Sequence, residues 1–298
     1  MRKQESIKQD DHERRVSLKR IYVNLKRFDI PRELGGVNTL APVREWGRRI
    51  VEDVRDGVNA YDSSDVKFTV FFPEAHLIPA LDAMDSSDSL KAGCQSVFRD
   101  DVETGRNFGA FTSNRTAKSM AALGVKEVII GHCEERNDKK GMLLEAGVTD
   151  PAAVNRILNS EVKAAVNSGL SVLYCIGETK EEKEDWKKVL KEQIDIGLMG
   201  VDRKDVVIAY EPVWAIGPGK TPPGRDYIQM VAGYIKEVSG GLPVVYGGGL
   251  KAENARMLSS IPEVDGGLIA LTRFSGDIGF YPEEYLEIVR IYMEGENN

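Results

Sequence analysis

Eight short apolar runs recur along the chain at a spacing of roughly thirty residues, each followed by a segment with helical patterning. No other feature narrows the fold as far. The runs cover 21–24, 66–72, 92–97, 128–130, 171–176, 206–210, 243–246 and 267–271. Between them, amphipathic or charged helical patterns are predicted over 38–56, 77–84, 112–123, 152–167, 180–195, 227–238, 254–258 and 285–293. Gly57, Gly124 and Gly169 stand where three of these would end. Most of the runs are apolar throughout rather than alternating, as strands covered on both faces are. Strict strand–helix alternation implies parallel strands. Eight of them in 298 residues predict an α/β fold of the (β/α)8 barrel type, whose usual size is ~250 residues. An open doubly wound sheet would call for a G-x-G-x-x-G after the first strand, and there is none. No linker divides the chain, so one domain is expected over 19–298, preceded by a polar arm over 1–18.

Composition excludes several partner classes. A net charge of −7 argues against nucleic acid as the main partner, though a local site can still hold an anion. No apolar run is long enough to span a bilayer, and the charged N-terminus has no apolar core of a secretory signal. Cys94, Cys133 and Cys175 are odd in number and widely spaced, which suits reduced thiols in the cytoplasm and neither a disulfide framework nor a metal site.

In a parallel barrel the C-terminal ends of the strands converge on one face, so chemistry is sought there. The sixth run, VVIAY, ends in Glu211 and is followed by Pro212 and a loop with Trp214, Gly217 and Gly219 that could act as a lid. Elsewhere the ends carry Asn24 with Lys26, His132, the run Gly247-Gly248-Gly249, and the segment after Ile269. A carboxylate can abstract a proton from carbon, and a histidine can polarise a carbonyl. A lysine supplies fixed positive charge, and glycine runs expose backbone N–H groups to phosphate. Of three histidines, His12 lies in the arm and His76 before a helix, leaving His132 at a strand end. Each residue taken singly also has an ordinary structural reading, as a cap, a turn or a solvated side chain.

Taken in order, these segments resemble the triosephosphate isomerase family over nearly all of 20–295. The carrying motifs are Asn24-Leu25-Lys26, Gly109-Ala110-Phe111-Thr112, Gly131-His132-Cys133-Glu134, Cys175-Ile176-Gly177-Glu178-Thr179, Ala209 through Lys220, and Tyr246-Gly247-Gly248. The resemblance implies an isomerase that interconverts glyceraldehyde 3-phosphate and dihydroxyacetone phosphate through an enediolate, without metal or organic cofactor. It makes Glu211 the base and His132 a neutral electrophile, a pairing for which this family is itself the type case. Lys26 and Asn24 would hold substrate oxygens, with Glu134 in support. Gly217, Gly248, Gly249, Ala270 and Leu271 would face the phosphate. The resemblance also implies a homodimer, with Thr112 reaching towards the partner's site.

The departures gather at the phosphate end. Gly249 replaces the family's serine, Pro218 a lid threonine (stiffening the lid by its fixed φ), and Ala270-Leu271 a Gly-Gly pair. Arg273 is expected to supply a side-chain contact to phosphate instead. Cys133, Glu135 and Leu25 also depart from the family's usual residues. A kept reaction with a changed grip leaves open a four-carbon substrate such as an erythrulose phosphate. A barrel that only binds a phosphorylated metabolite is the reading from another class.

Overall fold

The computed structural model describes residues 18–217 and 220–295. The polar arm therefore lies outside the described residues apart from Leu18, as do Pro218 and Gly219 of the expected lid.

Eight parallel strands close into a barrel in sequence order, with β8 pairing back onto β1. They are β1 (Lys19–Asn24), β2 (Val66–Phe72), β3 (Leu90–Gln95), β4 (Glu127–Ile130), β5 (Ser171–Ile176), β6 (Val206–Tyr210), β7 (Val244–Tyr246) and β8 (Gly266–Ile269). The helices are α1 (Trp46–Asn59), α2 (Leu77–Leu81), α3 (Ala117–Leu123), α4 (Cys133–Glu145), α5 (Ala153–Asn167), α6 (Trp186–Gly197), α7 (Arg225–Ser239), α8 (Ala252–Ser259) and α9 (Pro282–Glu294). The expected (β/α)8 barrel is the observed architecture.

Period-two alternation along the strands divides the apolar residues into two bodies. Outward-facing side chains such as Val23, Val70, Ile130, Ile208 and Tyr246 join the helices in a continuous outer core. Inward-facing Tyr22, Phe71, Ile129, Leu173, Cys175, Val207, Ala209, Val245 and Leu268 fill the barrel as a separate column. Gly93 on β3 leaves room for one of these rings: a Cβ there would lie 2.3 Å from Cδ1 of Phe71. Below the column, at the N-terminal ends of the strands, the Glu127 carboxylate accepts from the hydroxyls of Tyr22 (3.1 Å) and Thr69 (2.7 Å).

Several expected boundaries move, each for a local reason. The helix expected from residue 38 begins at Trp46, because Asn38 builds a turn by donating to the carbonyls of Asp29 and Ala41 and accepting from the Leu40 N–H. It runs through Gly57, where a Cβ would lie 2.6 Å from Leu286, so this glycine admits α9 rather than ending α1. Thr116, not Thr112, caps α3 by accepting from the Ser119 N–H. The helix α4 was not expected at all: it buries no residue and has no apolar stripe for a pattern to reveal.

Candidate active site

Glu211 follows β6 directly and its side chain is buried, with 1% of the residue exposed. Two glycines on the flanking strand ends leave it little freedom. A Cβ on Gly177 would lie 1.7 Å from the Glu211 carbonyl oxygen, and one on Gly247 would lie 2.7 Å from its Cγ. One carboxylate oxygen, Oε2, accepts from the Cys133 N–H at 2.9 Å. The other, Oε1, makes no hydrogen bond among the described residues and lies 3.4 Å from His132 Nε2.

His132 is the N-cap of α4, and its Nδ1 accepts from the Glu134 N–H at 3.3 Å. With Nδ1 in that contact, Nε2 is the ring nitrogen nearest the Glu211 carboxylate. Lys26 holds a left-handed conformation (φ 42°), stabilised by its N–H donating to Asn24 Oδ1 at 3.0 Å. Its ammonium lies 2.6 Å from Glu134 Oε1. Partial burial acts to raise the Glu134 carboxyl, but the Lys26 contact wins and holds it below the ordinary range.

Glu211, His132, Lys26, Asn24 and Glu134 thus form one chain of contacts across β6, β4 and β1. Asn24, Lys26, His132 and Glu134 also line a cleft of about 860 Å³ over these strand ends. Sequence reading missed Gln95 at the end of β3. Its amide donates to Lys26 O at 3.1 Å, Asn24 Oδ1 at 3.3 Å and Phe71 O at 3.3 Å, pinning the first strand's end. The only signal was a polar residue inside the weakest of the eight apolar runs.

The base of the lid is tied to β5. Glu178, fully buried, accepts on Oε1 from Trp214 Nε1 (2.7 Å), Tyr210 Oη (2.9 Å) and Tyr227 Oη (3.4 Å). Burial pushes its carboxyl up despite those donors. This gives the Gly177-Glu178 motif its physical content: the glycine admits Glu211 and the glutamate gathers the lid. Glu178→Leu leaves three donors without their acceptor. It is expected to lower unfolding stability by about 2–3 kcal/mol, read from urea denaturation midpoints followed by tryptophan fluorescence.

At the phosphate end, Gly248 and Gly249 follow β7, while Ala270 and Leu271 follow β8. The backbone N–H groups of Gly248, Gly249 and Leu271 find no acceptor among the described residues. Gly217 is exposed, with φ 113°, in the lid. Arg273 already has partners: its guanidinium contacts Glu284 of α9 at 2.5 and 2.7 Å and lies 3.8 Å over the Tyr281 ring.

One trio has metal-ligating chemistry: donor atoms of His132, Cys133 and Glu211 lie within 4.8 Å of one another. Burial, and next the Glu211 charge, push the Cys133 thiol up to about 12, so without a bound cation it is a neutral thiol at neutral pH.

A family model described as triosephosphate isomerase matches residues 44–289. A triosephosphate isomerase of Geobacter metallireducens is 39% identical over 183 residues, 57% of this chain and 68% of the relative. One of a Synechococcus strain is 31% identical over 255 residues, 84% of this chain and 91% of the relative. The crystal structure of triosephosphate isomerase from Bartonella henselae superposes with a TM-score of 0.68 at 24% identity, covering 92% of this chain and 99% of that one. That likeness bears on the fold. Among the described residues, no helix is long and apolar enough to cross a membrane.

Proposed function

The chain belongs to the triosephosphate isomerase family, and from that premise we propose that it interconverts glyceraldehyde 3-phosphate and dihydroxyacetone phosphate with Glu211 as the base. The observation that carries this reading is the Glu211 Oε1 atom. It is buried and without a hydrogen bond among the described residues, and it stands 3.4 Å from His132 Nε2. A carboxylate so placed takes the proton from the carbon next to the substrate carbonyl. The C–H electron pair becomes the C=C bond of an enediol, and His132 Nε2–H donates to the carbonyl oxygen as its π electrons move outward. Lys26 stabilises the negative charge that develops on that oxygen. The proton then returns to the former carbonyl carbon, whose oxygen keeps the proton received from His132, while the hydroxyl on the first carbon gives its proton back to His132 and becomes the new carbonyl, with no net gain or loss of protons. Glu134 positions both Lys26, through its carboxylate, and His132, through its N–H.

The four-carbon alternative drew on Ala270 and Leu271 replacing a Gly-Gly pair. A phosphate held by backbone donors needs their N–H groups, and the Leu271 N–H has no acceptor among the described residues. Both relatives compared above are named for the triose reaction, which supports the three-carbon substrate. We read the enzyme as a cytoplasmic homodimer. The three free cysteines support a reducing compartment, and Phe108, 84% exposed beside the Gly109–Thr112 segment, supports an interface there.

The test is turnover of glyceraldehyde 3-phosphate beside the erythrulose phosphates. A higher kcat/KM on the triose phosphate is expected. No turnover of it by the intact chain defeats the reading, and a preference for a four-carbon substrate moves the assignment to that sugar.

A further inference from the structure

Arg273 is paired with Glu284, whereas a lysine with no such partner lies against the glycine loop. Lys251 follows the Gly247–Gly249 run and Leu250 and is the N-cap of α8. Its backbone is fixed by Asn254, which accepts from the Lys251 N–H at 2.8 Å and donates to the Gly249 carbonyl at 2.9 Å. The side chain folds back over the glycines, bringing Cε to 3.6 Å from where a Cβ on Gly249 would stand. Its ammonium lies 3.8 Å from the Phe274 ring centroid, and the nearest carboxylate oxygen, on Glu253, is also 3.8 Å away. No hydrogen bond saturates it among the described residues, and its side chain is 24% exposed.

The loop beside Lys251 is also short of polar partners. The Tyr246 hydroxyl is buried with no hydrogen-bond partner among the described residues, and a Cβ on Gly248 would lie 2.3 Å from it. Lys251 thus brings an unsaturated cation against the Gly249 backbone, while the Tyr246 hydroxyl belongs to the outer core behind Gly248. An anion fits there, because the Gly248 and Gly249 N–H groups have no acceptor among the described residues and the N-terminus of an eight-residue helix follows them.

We propose that Lys251 binds the substrate's phosphate group, supplying the charge that the sequence assigned to Arg273, with Phe274 holding the ammonium over the glycine loop between turnovers. The face of an aromatic ring holds a cation loosely enough for it to be handed to a dianion. The identity of the substrate rests on the isomerase reading above, whereas the anion site does not.

The experiment is calorimetric titration of the intact protein and its Lys251→Met and Lys251→Arg variants with 2-phosphoglycolate. It is paired with kcat/KM on glyceraldehyde 3-phosphate and on unphosphorylated glyceraldehyde. Lys251→Met is expected to weaken phosphoglycolate binding roughly ten- to a hundredfold, the worth of one charge-assisted contact, with Lys251→Arg recovering most of it. The preference for phosphorylated over unphosphorylated substrate should fall by a similar factor. Unchanged affinity in Lys251→Met overturns the proposal. So does an equal loss on both substrates, which would mark a structural lysine. If the wild type binds phosphoglycolate but turns over no triose phosphate, the isomerase reading fails while the affinities still decide Lys251. If it binds none, both fall.

Discussion

Glu211→Gln is expected to lower kcat on glyceraldehyde 3-phosphate by roughly 10²–10⁴-fold, the usual worth of a positioned general base. The amide is nearly isosteric, and its oxygen can still accept from the Cys133 N–H. The close approach of Gly177 and Gly247 is therefore undisturbed, and the melting temperature should move little. Removing one methylene in Glu211→Asp instead keeps the charge and withdraws it from the mouth. A displacement near 1 Å costs on the order of 10²-fold. Steady-state kinetics on both variants, with thermal melts as the control, check the assignment. A Glu211→Gln enzyme within about threefold of wild type would mean that another group abstracts the proton, since the base term alone is worth far more.

The second large effect concerns stability and lies behind the histidine. Glu135 accepts from the Gly131 N–H at 2.6 Å, from Lys139 Nζ at 2.9 Å and from the Ser96 hydroxyl. Lys139 also lies 2.9 Å from Glu161, so two largely buried carboxylates share one ammonium. Burial, and next the Glu135 charge, push the Glu161 carboxyl up to about 8. Burial also acts to raise Glu135, but Lys139, Ser96 and the Gly131 N–H outweigh it and hold that carboxyl below its ordinary range.

Lys139→Met breaks this cluster and is expected to cost about 3–5 kcal/mol at pH 8. The cost should be smaller at pH 6, where Glu161 is already protonated and only Glu135 loses its counter-charge. In the wild type, the folded chain holds a proton on Glu161 that the unfolded chain releases near pH ~4.3. The stability linked to it is therefore fully present below that range and is lost as pH rises to about 8. Denaturant midpoints from pH 5 to 9 should fall with pH in the wild type and flatten in Glu161→Gln. A wild-type profile that rises across this window would contradict the protonated carboxyl. Because Glu135 also holds the N–H of Gly131, the cluster is the floor on which His132 stands.

What the sequence made legible follows from what periodicity can carry. The strands were readable because both faces are buried, and their ends drew Asn24, Lys26, His132 and Glu211 into one candidate site before any coordinates. Helix α4 was not readable, because its outer position asks for no apolar stripe. Arg273 looked available because its partner Glu284 stands eleven residues on, in a helix whose register no pattern discloses. Lys251 and Gln95 escaped for a related reason. Each acts by folding back onto backbone, which leaves no spacing signature. Glu178 was seen only as part of a motif, and its gathering of three side chains from β6, the lid and α7 is a tertiary fact.

The apolar column inside the barrel also has an electrical consequence. It stands between two buried carboxyls, Glu127 held by hydroxyls at the floor and Glu211 at the mouth. Proton traffic at Glu211 then runs in one direction only, through the mouth, where a substrate seated there is itself the stopper.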